Sequence, residues 1–253
     1  MNNSEEALGH NPMGEAKNLI ATSKNIYLIA SQEPEAMACT MALFYTLKYL
    51  DKNVNVVMEE LPEKLKFLSP SIDFISHPKN FVISIPGSIA KISQVHYEKN
   101  DDFLKIHLML ESGNIKKDNI SFYFEEAKPD LVITIGIQDY QKELSRNLDS
   151  LGFLLDCQVL NIDNMQENKK FGKINIVTEG SLAEIIFDID KTIDKEFAEC
   201  LLTGLIIHTN NFTNNQTPEI FQLASTLMKA GADLKVITDN LKSEARNQKS
   251  ETN

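Results

Sequence analysis

The chain has 253 residues, with 25 basic against 36 acidic side chains, a net charge of −11, and 42% hydrophobic residues. That mix is ordinary for a globular protein with a buried core, while the acidic balance disfavours broad nucleic-acid binding. The basic pairs Lys116-Lys117 and Lys169-Lys170 are too short to reverse it, although a small nucleotide held in a cleft stays compatible.

No apolar run approaches the roughly 18 residues that a membrane span needs. The start, Met1-Asn2-Asn3-Ser4-Glu5-Glu6, is acidic and polar, unlike a secretory signal, so the expected location is the cytoplasm. Cys39, Cys157 and Cys200 are odd in number and far apart, which fits small core residues better than a disulfide framework or a zinc site.

In chain order, residues 1–16 are expected to be a flexible tail, with Lys17 to Ser23 ending a short helix. Ile26 to Ala30 is an apolar run of strand length. Glu35 to Leu50 follows as a helix with Met37, Met41 and Tyr45 along one side. Asn53 to Met58 reads as a second strand, and Pro62 opens a short helix over Glu63 to Leu68. This β-α-β order calls for a parallel sheet. Residues 78–127 differ. Phe81 to Ile85, Ile92 to Tyr97, Leu104 to Leu110 and Ile120 to Phe124 are β-rich and separated by polar turns, the pattern of antiparallel hairpins. They are read as a β-rich insertion.

The α/β pattern resumes with a strand at Leu131 to Ile135 and a helix at Tyr140 to Leu148. Strands follow at Gln158 to Ile162 and Ile174 to Val177. Ser181 and Glu184 have capping-box spacing. Lys195 to Ile207 is helical, and Thr217-Pro218 starts a further helix that stops at Gly231. Asp233 caps the last helix, and 242–253 is read as a flexible polar end. The predicted class is α/β, a parallel sheet with helices on both faces and an inserted antiparallel β-hairpin region.

Several stretches together carry a family resemblance. Val159 to Met165 ends a strand in Asp163-Asn164-Met165, and Asn168 to Asn175 follows as a loop. Ser181 to Glu184, Leu201 to Leu205, Thr209 to Phe212, Thr217-Pro218 and Ala230 to Asp233 come next in order. Upstream, Glu33-Pro34-Glu35-Ala36 precedes a helix, and Leu131 to Gly136 forms a strand end. In order and spacing, from about Ile26 to Leu241, these resemble the catalytic domain of the DHH phosphoesterase superfamily, of the oligoribonuclease and phosphoadenosine-phosphate phosphatase type.

The resemblance implies a two-metal mechanism with manganese or magnesium on phosphoester bonds. Two close cations require several anionic or imidazole ligands to offset their repulsion and activate water. On this resemblance the first two aspartates are matched by Glu33 and Glu35, one methylene longer. Ile29 or Ser31 stands where a histidine is expected upstream. The second-motif aspartate is matched by Gly136, which has no ligand atom. Asp163 is retained, its two histidines are matched by Asn164 and Met165, and the aspartate before Thr209 is matched by His208. The residual candidate metal ligands are Asp163, Glu33, Glu35 and His208. Nothing in 242–253 resembles the family's second, substrate-binding domain.

Each candidate also has a plainer reading. Glu33 and Glu35 suit a helix N-terminus electrostatically. Asp163 is equally a turn residue after a strand, and His208 a hydrogen-bonded residue at a helix end. Met165 is a pocket-wall residue, Glu184 a capping-box acceptor. His77, His96 and His107 show no metal spacing. Three functions remain in view: a degenerate phosphoesterase homologue binding a nucleotide or partner in the old cleft, a divergent one-metal phosphoesterase, and a scaffold or homo-oligomer associating through the β-rich insertion.

Overall fold

The computed structural model describes residues 11–58, 60–69, 79–100, 102–126, 129–145, 157–191 and 193–250. Its strands are β1 (Asn25–Ala30), β2 (Asn53–Val57), β3 (Lys79–Ser84), β4 (Ala90–Lys99), β5 (Leu104–Gly113), β6 (Ser121–Glu126), β7 (Leu131–Ile135), β8 (Gln158–Asp163) and β9 (Ile174–Val177). Its helices are α1 (Pro12–Thr22), α2 (Pro34–Tyr49), α3 (Tyr140–Ser145), α4 (Leu182–Ile189), α5 (Lys195–His208), α6 (Pro218–Lys229) and α7 (Leu234–Ser250), with a 3-10 turn at Glu63–Leu68. The chain divides into two compact units: Met1–His77 with Lys128–Asn253, and Pro78–Ala127.

The first unit is built on a five-stranded sheet in the order β2-β1-β7-β8-β9, every neighbouring pair parallel. Continuous apolar runs force this arrangement. All five residues of β7 are buried, as are Ile26 to Ala30 of β1, so both faces of the central strands must be covered. A large core cluster covers one face with side chains from α1, α2 and α4 to α7. A smaller one, Tyr27, Ile29, Val132, Ile137, Tyr140 and Val159, covers the other. There Tyr140 of α3 stacks on Phe171 with ring centroids 5.3 Å apart. The α/β class, with helices flanking a parallel sheet, stands as the sequence predicts.

Helix α2 is buried without interruption from Ala36 to Leu47, not along one side as its spacing implies. A helix apolar all round is one enclosed by neighbours. The close approach of α5 explains part of it: a Cβ on Gly204 would come within 2.9 Å of the Cys39 sulfur. Burial raises the thiol pKa of both Cys39 and Cys200 well above the usual range, so both serve as small core residues.

The helix starts follow local chemistry. Asn11, Asp194 and Thr217 accept backbone N–H bonds at the starts of α1, α5 and α6, and Asp233 does the same for α7. Each such cap stabilises by about 1 kcal/mol. Two ends differ from the sequence reading. Helix α1 begins at Pro12, inside the expected tail, because Asn11-Pro12 is an N-cap followed by proline at N1. Helix α7 continues through residues 242–250, since that stretch contains no glycine or proline and is rich in helix formers. The expected tail over 1–10, the end of α3 beyond Ser145, His77 and residues 251–253 lie outside the described residues.

The second unit contains two antiparallel ribbons, β3 with β6 and β4 with β5. The second ribbon is longer than its apolar runs predict, ten residues in each strand.

Candidate functional site

The order β2-β1-β7-β8-β9 reverses direction of growth between β1 and β7, and open α/β sheets bind ligands beyond the strand C-termini at such a switch point. A cleft of about 470 Å³ lies there. Ser31 follows β1, Gly136 follows β7 and Asp163 ends β8. The register aligns Ile135 with Ala30 on one side and Ile162 on the other, so Gly136 lies level with Asp163 across neighbouring strands, about 4.8 Å apart. Glu33, Glu35, Asn164, Met165 and His208 line the same cleft.

The hydrogen bonds show what these side chains do. Glu35 Oε1 accepts from the Ser181 hydroxyl at 2.9 Å and from the Leu182 backbone N–H at 2.7 Å. Its Oε2 lies 3.0 Å from His208 Nδ1. The carboxylate therefore clamps the start of α4 to the end of α5. Both partners of the ion pair are mostly buried, at 14% side-chain exposure each. The bond to Glu35 raises the His208 pKa above the usual histidine value against the opposing effect of burial, and the negative charge of Glu184 adds to it. Glu33 sits exposed at the start of α2.

Asp163 is fully buried. Its Oδ1 accepts from the backbone N–H groups of Asn164 at 2.8 Å and Met165 at 3.3 Å. Its Oδ2 accepts from Asn168 Nδ2 at 2.7 Å. Asn168 also donates to the Ile137 carbonyl at 2.8 Å and accepts from Asn161 Nδ2 at 2.7 Å. Asn161 reaches Asn175 Oδ1 at 3.0 Å, and Asn175 closes the loop by binding Gly172 in both directions. The strand end and the loop after it are thus held by a buried polar chain, Asp163-Asn168-Asn161-Asn175. Asn164 Nδ2 donates to the Gly180 carbonyl at 2.9 Å, and Met165 is half-exposed at the cleft mouth.

Sequence reasoning missed this network. Its signal was present: Asn161 interrupts the apolar run from Val159 to Ile162, and an amide buried there needs partners. Ser31 also proves central. Gly136 adopts φ +69°, and a Cβ there would meet Ser31 Oγ at 2.8 Å and Ala36 Cβ at 3.0 Å. At the position matched to a metal-binding aspartate, any side chain would be strained by the backbone and would crowd Ser31 and Ala36. Glu184 acts as the capping-box partner expected of it, accepting from the Ser181 N–H at 3.2 Å.

No family model matches the chain. A 98-residue stretch is 32% identical to the bifunctional oligoribonuclease and PAP phosphatase NrnA of Thermus thermophilus, covering 36% of this chain and 30% of that protein. In fold, the chain superposes on an exopolyphosphatase-related protein from Bacteroides fragilis with a TM-score of 0.64 at 18% identity, over 94% of this chain and 62% of that one. The chain resembles the DHH phosphoesterases. It spans less than two thirds of the length of either relative.

The cleft can then be compared with the ions the resemblance implies. Two manganese or magnesium ions need a dense set of hard ligands. Among the described residues, no group of three or more His, Cys, Asp or Glu side chains is arranged to hold a metal ion. Glu35 and Asp163 already direct both oxygens at protein donors, and Gly136 offers none. The residues present do not fit the two-metal cluster.

Proposed function

We propose that this chain is a catalytically degenerate DHH-type phosphoesterase homologue that binds a small nucleotide in the old cleft without two-metal hydrolysis. The observation that carries this reading is the commitment of the retained carboxylates. Asp163 and Glu35 are engaged as structural acceptors, joining a strand end to its loop and one helix to another. Freeing them for cations would leave buried N–H groups unpaired, at about 1–3 kcal/mol each. The cleft keeps a volume typical of small-ligand sites. His208, whose Nδ1 is held by Glu35, lines the cleft as a hydrogen-bonding group. Similarity to an oligoribonuclease that is also a PAP phosphatase favours a nucleotide as the ligand.

The test has two arms. Manganese titrated against the purified chain is expected to give no saturable hydrolysis of a dinucleotide. Calorimetry with a nucleoside 5′-monophosphate, without metal, is expected to show binding that Met165→Asp weakens about tenfold, or 1.4 kcal/mol, by placing a negative charge at the cleft mouth. Metal-saturable turnover that disappears in Asp163→Ala would instead establish a divergent phosphoesterase.

A further inference from the structure

Ribbon β4–β5 pairs Val95 with Leu108, Tyr97 with Ile106 and Lys99 with Leu104. Directly opposed residues share a face of a ribbon. Past a bulge near Ser93, Ile92 pairs with Leu110 on that same face. One face of the ribbon therefore carries seven apolar side chains, with the single charge of Lys99 at its tip. The other face carries Gln94, His96 and Glu98 opposite Met109, His107 and Lys105. This amphipathic alternation belongs to a sheet that covers a core on one side. Yet Val95 is 62% exposed, Tyr97 74%, Leu104 59% and Ile106 46%.

A two-stranded ribbon has no second layer of its own and is marginal alone in water. An exposed apolar patch of several hundred Å² is large for a monomer and marks an interaction site. We propose that this face is a homodimer interface, in which the β4–β5 ribbons of two copies stack face to face about a two-fold axis. Three features favour a second copy over another occupant. A stripe apolar along its length except at the Lys99 tip is complementary to itself, as an isologous contact requires. Two such ribbons pack as two sheet layers do, about 10 Å apart, with Tyr97 and Ile106 near the middle. The exposed side chains amount to roughly 500 Å² per copy and about 1,000 Å² for the pair, which reaches the lower limit for a specific interface. A contact at that lower limit fits a reversible dimer, to be sought in the micromolar range. This association is independent of what the cleft binds.

The experiment is sedimentation velocity on the full chain across a concentration series. The wild type is expected to shift from monomer to dimer in the micromolar range. The double variant Tyr97→Lys/Ile106→Glu puts an opposite-charge pair on a directly opposed position, which supports the hairpin while making its face polar. It is expected to weaken the dimer at least tenfold with an unchanged far-UV circular dichroism spectrum. Met109→Glu makes a similar change on the opposite face and is expected to leave the dimer intact. A wild type that is monomeric throughout would overturn the proposal. A dimer indifferent to the double variant, or one broken equally by Met109→Glu, would overturn it as well.

Discussion

At the scale of single residues, the cleft is decided by Gly136 and His208. Gly136 combines a left-handed backbone with neighbours at 2.8 and 3.0 Å from any added Cβ, so an aspartate cannot simply be restored there. Gly136→Asp is expected to destabilise the chain by about 1–3 kcal/mol. Urea unfolding checks this as a lower midpoint with unchanged slope. Gly136→Ala should lose a similar amount, because the cost arises from the backbone and the Cβ and not from charge. For His208, the bond to Glu35 raises the pKa in the folded state. A raised pKa means that the folded state binds the proton more tightly than the unfolded chain does. The added stability is fully present below the unfolded value, near 6.5, and is lost as pH rises through the elevated folded value. Melting curves of the wild type and His208→Gln should therefore differ most below about pH 6.5, and the gap should narrow at higher pH. A gap that widens with pH would show that the imidazole is held neutral.

At the scale of elements, strand ends and helix starts position everything in the cleft. The parallel register of β1, β7 and β8 brings Ser31, Gly136 and Asp163 to one level. The capping box at Ser181 fixes the start of α4, and Glu35 ties that start to α2 and α5. The asparagine chain then fastens the loop after β8 to the sheet. The boundaries of β1, β7, α4 and α6 were legible because apolar runs, Ser181 with Glu184, and Thr217-Pro218 are local signals. The full burial of α2 was not, since its cause is the approach of another helix at Gly204, far away in sequence.

At the scale of the whole molecule, the two compact units differ in how they are stabilised. Both core clusters of the α/β unit are built from that unit's own residues. Replacing residues 79–126 by a short flexible linker is therefore expected to leave a cooperatively folded α/β unit. Its melting temperature should remain within about 4–8 °C of the intact chain, the shift that about 1 kcal/mol produces in a small domain. Calorimetry checks this directly, and a loss of the cooperative transition would show that the ribbons contribute to the core. The acidic balance of the chain, −11 overall, acts at this scale too. It opposes association with extended phosphate backbones.

The sequence by itself determined the α/β class, the order of strands and helices, the β-rich stretch and the positions that meet in the cleft. The elements follow from periodicity and capping residues, which are local, and the cleft positions from the family resemblance, whose motifs are ordered along the chain. Only the tertiary structure decided what the convergent residues do. In the sequence, Asp163 and Glu35 each carry both a ligand reading and a local structural one; their partners, Asn168, Ser181, Leu182 and His208, come from loops and helices that folding brings together. The apolar face of β4–β5 likewise depends on register, because one step of slippage would send every side chain to the opposite face.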